Sequence, residues 1–213
     1  MRTGIGADSL ILEDGRVVGV STASGQERAD AVVLATGIGS AQRLLERAFD
    51  GSPWVVDLLA LRSSPAVTMQ FELEEPCMPV DRVTFGPGTA LASFSEQSRS
   101  TFRGSAGRLS VILAQPALLG DVAAPDLAAR IVDDAKRLGI ELAGRIRDYR
   151  KVAFPMDFYS LRPGSEALRP AQRTPVSGLV LAGDYTAQPY LTTMEGAVES
   201  GLRAARVVRE ELE

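Results

Sequence analysis

The sequence lacks histidine, and its 213 residues include one cysteine, Cys77. Without histidine there can be no catalysis by an imidazole base or nucleophile. A single cysteine excludes an intrachain disulfide and a metal centre built from several thiolates. This composition is typical of a reduced, cytoplasmic setting.

Long apolar runs and basic runs are also missing. No apolar stretch approaches the ~20 residues that span a bilayer, and the first residues lack the charged-then-apolar order of a signal peptide. The net charge of −4 comes without a basic run, which gives no support for nucleic-acid binding. With 45% apolar residues, the chain can bury the core of one large or two small domains.

The most informative stretch is residues 178–211, which has the pattern of a strand, a turn and a helix. A short apolar strand at 179–182 is broken by Gly183 and Asp184. Thr192 followed by Glu195 has the spacing of a capping box and predicts a helix that begins at Thr193. Apolar residues at helical spacing predict one core face, formed by Met194, Ala197, Val198, Gly201, Leu202, Ala205 and Val208.

The start of this helix is suited to an anion, because its unpaired amides carry partial positive charge. Gly196, one residue past the capping glutamate, would let a flat ligand approach the backbone. The alternative is an ordinary strand-to-helix connection whose glycines serve only the turn.

The literal residues of this stretch, LAGDYTAQPYLTTMEGAVESG, resemble the C-terminal flavin-binding motif of the flavin amine oxidoreductase superfamily. The motif is most similar to that of the plant and cyanobacterial phytoene and zeta-carotene desaturases, and the preceding PGSEALRPAQRTPVSGL resembles the approach to it. The resemblance implies an FAD cofactor whose ribityl-pyrophosphate region is held by Gly183 and Asp184. The residues that it implies to face the flavin ring are Thr193, Met194, Glu195, Gly196 and Ala197.

The N-terminal residues predict a hairpin and a strand followed by a helix. Residues 9–13 and 16–22 flank Asp14-Gly15, a strong hairpin signal. An apolar run at 29–35 predicts a buried strand, and Ser40 is placed to cap a helix at 41–49. This segment resembles the middle flavin-domain segment of the same superfamily. The apolar patch at 53–61 is either a core helix or a lip that rests on a membrane surface.

The middle of the chain predicts an α+β unit. Strands are expected at 66–74, 90–94, 108–114 and 145–154, with a helix that Pro125-Asp126 opens and Gly139 ends. The resemblance makes this the substrate-binding domain. The expected fold is an α/β FAD-binding domain, the C-terminal part of a Rossmann-like glutathione-reductase-type fold, with an inserted α+β domain. The expected domains are residues 1–50, 51–154 and 155–213.

The dinucleotide-binding motif with which such flavoproteins begin is not found. Gly4 and Gly6 lie close together, but no apolar strand precedes them and a strand follows. We therefore expect the chain to be the C-terminal half of a longer enzyme. Its N-terminal FAD-binding half, on a separate chain, is an expected partner.

Thr193 guides the functional prediction, because amine oxidases of the superfamily place an aromatic residue there. The resemblance thus implies a desaturase acting on a hydrophobic carotenoid or related isoprenoid, with a quinone or other acceptor reoxidising FAD and peripheral contact with a membrane. Asp184 and Glu195 are interpreted as cofactor-binding and capping residues, so no catalytic residue and no metal ligand are assigned. The alternatives are a hydroxysqualene-processing enzyme, an amine oxidase, a noncatalytic complementing subunit and an inactive product.

Overall fold

The structure, a computed structural model, describes residues 2–213. It forms two compact units, one made of the chain up to Ser64 together with Met156–Glu213, the other of Pro65–Pro155. In chain order the elements are β1 (Ala7–Glu13), β2 (Arg16–Thr22), β3 (Gly25–Arg28), β4 (Val32–Leu34), α1 (Ile38–Phe49), α2 (Val56–Ala60), β5 (Ser63–Leu73), β6 (Val83–Phe85), β7 (Leu91–Glu96), β8 (Gly107–Leu113), α3 (Pro116–Leu119), α4 (Ala124–Arg137), β9 (Ile146–Tyr159), β10 (Leu179–Leu181) and α5 (Met194–Leu212).

The predicted hairpin is confirmed as β1 and β2, and β3 completes an antiparallel sheet in the order β1-β2-β3. Asp14 and Gly15 both have positive φ, 49° and 76°, as a two-residue hairpin turn requires. Asp tolerates this conformation and Gly adopts it freely, so the local sequence determines the turn.

The predicted strand at 29–35 is shorter in the structure, where β4 covers only Val32–Leu34 and pairs in parallel with β10. The residues before it serve the neighbouring sheet instead. The Ala29 amide donates to the Val18 carbonyl, and the Asp30 carbonyl accepts from the Arg16 guanidinium. The apolar composition of residues 29–35 does not show which of them pair with β10 and which bond to β2.

The predicted cap of α1 is wrong, because the helix begins at Ile38 and its N-cap is Gly37. The Gly37 carbonyl accepts the amides of Ser40 and Ala41 at 3.1 Å each. Ser40 therefore lies inside the first turn, where its hydroxyl cannot act as the cap.

The apolar patch at 53–61 forms a 3-10 turn, Pro53–Val55, followed by α2. Val55, Leu58 and Leu61 are buried in the core of the first unit, as the core-helix interpretation predicts. Residues 51–64 consequently belong to the first unit, whereas the sequence placed the change of domain after residue 50. No helix among residues 2–213 has the length and apolar character needed to cross a membrane.

The second unit is built on an antiparallel sheet in the order β6-β7-β8-β5-β9. The structure confirms the predicted strands at β5, β7 and β8 and the helix α4, with boundaries shifted by a few residues. Leu127, Ile131 and Ala135 of α4 pack into a core formed with the alternating buried residues of the sheet. The Asp134 carboxylate accepts the Ala90 amide at 2.8 Å, which joins α4 to the start of β7.

A buried carboxylate, Glu96, organises one end of this sheet. It accepts the backbone amides of Cys77, Ser98 and Arg108 at 3.0, 3.2 and 2.8 Å. Burial would raise the pKa of Glu96, but these donors outweigh it and the pKa is lowered. Burial, together with the nearby Glu96 charge, raises the pKa of the Cys77 thiol to about 12.

We expect Glu96→Gln to lower the free energy of unfolding at pH 7 by about 1–3 kcal/mol, because an amide replaces a charged acceptor of several buried donors. A carboxyl with a lowered folded pKa stabilises the fold above its unfolded pKa, and this contribution is lost as the pH falls through the folded pKa. The variant should therefore lose stability less steeply in acid than the parent chain.

Urea unfolding followed by circular dichroism measures both effects. Glu74→Gln is the matched control, since the Glu74 side chain is exposed. Equal stabilities of the parent chain and Glu96→Gln at pH 7 would contradict the assigned role of Glu96.

Candidate functional site

The candidate site lies where β4 and β10 end. Because the two strands run parallel, with Leu34 opposite Leu181, the residues that follow them meet at one edge of the sheet. Thr36 and Gly37 follow β4, and Gly183 and Asp184 follow β10. Ligands of α/β folds bind at this carboxyl edge. The Thr36 hydroxyl is buried there and has no hydrogen-bond partner in the part of the chain that the structure describes.

Gly183 is required by the turn itself. Its φ of 144° disfavours other residues, and a Cβ would lie 2.4 Å from the ring of Tyr185, which is fully buried. The Gly183 amide donates to the Ser200 hydroxyl of α5 at 2.6 Å. The turn is thus fixed to the helix, and the Gly183 amide is already paired within the protein.

Asp184 is a partly buried carboxyl at the same turn. Burial is the largest influence and raises its pKa, although backbone amides and the Arg169 guanidinium act in the opposite direction. The fold therefore holds a carboxyl in a place where its ionisation is unfavourable without a further partner. A ligand hydroxyl at this position would supply a further donor to the carboxyl.

Arg169 determines the shape of the loop after the turn. Its buried guanidinium donates to the carbonyls of Asp184, Thr186 and Gln188 at 3.0, 2.6 and 3.2 Å. Gln172 adds bonds to the Thr186 hydroxyl at 2.9 Å and the Ala187 carbonyl at 3.0 Å. These two side chains replace regular secondary structure in satisfying the loop carbonyls.

Sequence reasoning missed both residues, although they lie in the quoted segment PGSEALRPAQRTPVSGL. The available signal was a pair of long polar side chains, Arg169 and Gln172, just before an apolar strand. That signal is weak, because the same local sequence is equally compatible with an arginine exposed at the surface.

The predicted capping box of α5 is wrong by one residue. Thr193, not Thr192, is the N-cap, and its hydroxyl accepts the Gly196 amide at 3.1 Å. Glycine at the third helical position has no side chain to complete a reciprocal box. The amides of Met194 and Glu195 have no acceptor within residues 2–213, so this helix start presents free donors.

Gly196 packs closely against the loop that precedes α5. It is buried, and a Cβ would lie 2.5 Å from the Gln188 Nε2 and 2.9 Å from the Leu191 carbonyl oxygen. Its missing side chain thus lets the loop pack against the helix. Of the predicted flavin-facing residues, those that the structure leaves exposed at the helix start are Thr193, Met194, Glu195 and Ala197.

The predicted core face of α5 is also wrong. The buried residues are Gly196, Ser200 and Ala204, whereas Met194, Val198 and Leu202 are 88%, 59% and 55% exposed. The small residues allow α5 to lie close against β10, where Ala204 packs with Val180 and Ala182. Met194, Val198 and Leu202 therefore point away from the core, whereas Val208 of the predicted face packs against it with Val207.

Comparison with known proteins identifies the family. A model of the family described as flavin containing amine oxidoreductase matches residues 8–209. The chain belongs to this family of flavin-containing amine oxidoreductases. The match covers both structural units, so it does not depend on the C-terminal motif alone.

Among curated relatives, the chain is 28% identical to 15-cis-phytoene desaturase of Synechococcus elongatus over 91% of this chain and 43% of that protein. It is 27% identical to the chloroplastic/chromoplastic 15-cis-phytoene desaturase of Solanum lycopersicum over 96% of this chain and 35% of that protein. The chain thus spans less than half the length of these relatives. An oxidoreductase from Methanosarcina mazei shares the fold, with a TM-score of 0.69, 16% identity and coverage of 97% of this chain and 49% of that one.

The residues at the strand edge fit a flavin nucleotide. Such a ligand offers hydroxyl groups, negative charge and a flat ring. The edge offers a partly buried carboxyl at Asp184, an unpaired buried hydroxyl at Thr36 and free amides at Met194 and Glu195. Each polar group of the site therefore has a chemical counterpart in the cofactor of this family.

We expect Asp184→Asn to make the ligand-free chain more stable at pH 7. A carboxyl whose folded pKa is raised stabilises the fold only below its unfolded pKa, near 3.9, and this contribution is lost as the pH rises through the folded pKa. The variant avoids that loss, so its advantage should shrink as the pH falls toward about 4. Urea unfolding at several pH values, with Asp8→Asn as an exposed control, measures the difference. An advantage that does not change with pH would contradict the burial argument.

We expect Arg169→Met to lower the free energy of unfolding by about 3 kcal/mol or more, because the carbonyls that it serves lose a charged donor. Arg173→Met is the control, since Arg173 forms surface ion pairs with Glu210 and Glu211 and should cost under about 1 kcal/mol. Thermal unfolding of both variants provides the comparison. Equal losses would show that Arg169 does not organise the loop.

Proposed function

We propose that this chain is the flavin-facing and substrate-facing part of an FAD-dependent oxidoreductase that desaturates a carotenoid or a related isoprenoid. The observation that carries the proposal is the strand edge, where Asp184, Thr36 and the free amides of α5 converge in a member of a flavin-containing family. The length of the similarity to phytoene desaturases supports the substrate class.

In this proposal Gly183 and Asp184 lie against the sugar and phosphate part of FAD, and the start of α5 lies against the ring. FAD supplies the acceptor for a hydride. The Met194 and Glu195 amides stabilise negative charge at the ring, because they are unpaired donors at the positive end of a 19-residue helix. Arg169 keeps the loop between these two regions in place through its bonds to the carbonyls of Asp184, Thr186 and Gln188.

Thr193 and an apolar cleft favour a hydrocarbon over an amine. Thr193 is exposed and contributes no aromatic wall at the helix start. The second unit contains a cleft of about 340 Å³ whose apolar lining includes Val67, Pro116 and Phe154. A cleft of this kind binds a segment of a hydrophobic molecule by burial of apolar surface and needs no charged anchor. Loss of hydride and proton from a hydrocarbon requires such an environment more than it requires a histidine, which the sequence lacks.

The remaining partners follow from this assignment. An N-terminal FAD-binding half on a separate chain completes the cofactor site, and a quinone or similar acceptor reoxidises the flavin. A hydrophobic substrate favours a position of the enzyme at a membrane surface. The compartment that we propose is the reduced cytoplasm. The experiment must distinguish this function from three alternatives. These are a hydroxysqualene-processing enzyme, an amine oxidase and a noncatalytic complementing subunit.

The test is the visible absorption spectrum of the chain co-expressed with the N-terminal half of the Synechococcus elongatus relative. We expect flavin bands in the purified complex, reduced by at least tenfold in occupancy with Asp184→Ala and unchanged with the exposed control Asp8→Ala. Product analysis with phytoene and with amines then identifies the substrate class. Flavin without turnover of phytoene would contradict the desaturase assignment, and unchanged flavin content in Asp184→Ala would contradict the site.

A further inference from the structure

The second unit contains a polar cavity of about 380 Å³ that plays no part in the flavin assignment. Its walls come from the residues just before β7, from the end of β8 with the start and end of α3, and from one face of α4. We call it the α4 cavity. Sites that bind small organic molecules have volumes of roughly 300–1,000 Å³, so this cavity is large enough for such a ligand.

Two arginines of α4 give the α4 cavity a positive charge. Arg130, Asp134 and Arg137 are four and three residues apart, so they share one face of the helix. The buried Asp134 carboxylate is already occupied, because it accepts the Ala90 amide and the Arg137 guanidinium at 2.8 Å each. The cavity therefore holds two guanidinium groups and one carboxylate that is paired within the protein.

Most of the donors on these two arginines are unused. Arg130 is exposed and forms no ion pair or hydrogen bond with any of residues 2–213, although Asp126 and Asp133 lie within one turn of it on α4. Arg137 donates one bond to Asp134, and its side chain is 65% exposed. A guanidinium has five N–H donors and keeps its charge at neutral pH. The cavity thus presents charged donors that lack an acceptor.

Gln115 lines the cavity in a strained backbone conformation. Its φ of 51° and ψ of 53° lie in the left-handed region, which residues other than glycine, asparagine and aspartate rarely adopt. The Gln115 carbonyl accepts the amides of Leu118 and Leu119 at 2.9 and 3.2 Å, and these bonds hold the conformation. Its side-chain amide has no hydrogen-bond partner in the part of the chain that the structure describes. Strain of this kind is concentrated at binding and catalytic sites.

We propose that the α4 cavity binds the phosphate group of a small organic phosphate ester. Arg130 and Arg137 donate to the phosphate oxygens, and the Gln115 side chain supplies a further donor. A phosphate has three strong acceptor oxygens and a charge of about −1.5 to −2 at neutral pH. A carboxylate offers only two oxygens, which a single guanidinium can satisfy, so two guanidiniums favour the phosphate.

The organic part of the ligand is inferred from the rest of the lining. Ala90 and Leu119 are buried at 2% and 5% exposure, and Ala114 is half-buried, so part of the wall is apolar. A carbon skeleton next to the phosphate would cover this surface and gain affinity by its burial. All of the lining residues belong to Pro65–Pro155, so this inference is independent of the proposed flavin site.

The test is isothermal titration calorimetry of the chain, without flavin, with phenyl phosphate, benzoate and inorganic phosphate. Phenyl phosphate and benzoate share a ring and differ in the anion. We expect phenyl phosphate to bind at least tenfold more tightly than benzoate and more tightly than inorganic phosphate. No binding of phenyl phosphate, or equal affinity for benzoate, overturns the proposal. Equal affinity for inorganic phosphate would show that the cavity takes no organic group and would also overturn it.

Arg130→Gln locates the binding site without disturbing a bond of the folded chain, whereas Arg137 is tied to the buried Asp134. We expect this variant to weaken phenyl phosphate binding about tenfold or more, because a charged donor is lost. Arg147→Gln is the matched control, since Arg147 is an exposed arginine of the same unit that does not line the cavity. Unchanged binding in Arg130→Gln, or equal weakening in Arg147→Gln, overturns the proposal.

Gln115→Gly separates binding from folding. Glycine adopts the left-handed conformation without strain, so the thermal midpoint of the ligand-free variant should be no lower than that of the parent chain. Loss of the side-chain amide should weaken phenyl phosphate binding about fivefold. Circular dichroism verifies the fold of every variant. A folded Gln115→Gly variant that binds phenyl phosphate as tightly as the parent chain would contradict the role assigned to Gln115.

Discussion

The parallel pairing of Val32–Leu34 with Leu179–Leu181 is the contact on which the first unit depends. It joins segments that are separated in sequence by the whole of the second unit. The pairing brings two strand ends together, and with them the Thr36 hydroxyl, the Gly183 turn and the start of α5. Bringing β4 and β10 together costs the entropy of closing the long stretch of chain between them. Three paired residues in each strand contribute little against this cost, so packing of the surrounding core must stabilise the pair.

That support comes from side chains on both sides of the strand pair. Leu34, Leu179 and Leu181 are buried in the larger core of the unit, while Val180 and Ala182 face α5. The helix can approach because its contacting residues are small, and the bond from the Gly183 amide to Ser200 fixes its position along the strand. Helix, turn and sheet therefore constrain one another.

Much of the fold could be predicted from local patterns. Asp14-Gly15 and the alternation in β5, β7 and β8 are determined by nearby residues, so they were visible in the sequence. The orientation of α5 was not, because its sequence carries a small-residue face and a larger apolar face, and hydrophobic spacing selects the larger one. The motif predicted a candidate site at Gly183 and Asp184, whereas Arg169 and Gln172 act through contacts with carbonyls distant in sequence, which no local pattern encodes.

The second unit contains a thiol, Cys77, whose reactivity depends on the folded environment around it. It is the sole cysteine in the sequence, and burial, together with the nearby Glu96 charge, raises the pKa of its thiol to about 12, which lowers its thiolate fraction below that of an ordinary thiol. Only thiolates react quickly with alkylating reagents, so we expect the native chain to be labelled slowly. When the contacts around Glu96 open, the pKa returns toward its ordinary value and labelling accelerates. The rate of alkylation of Cys77 would thus report local opening of the second unit without an added label.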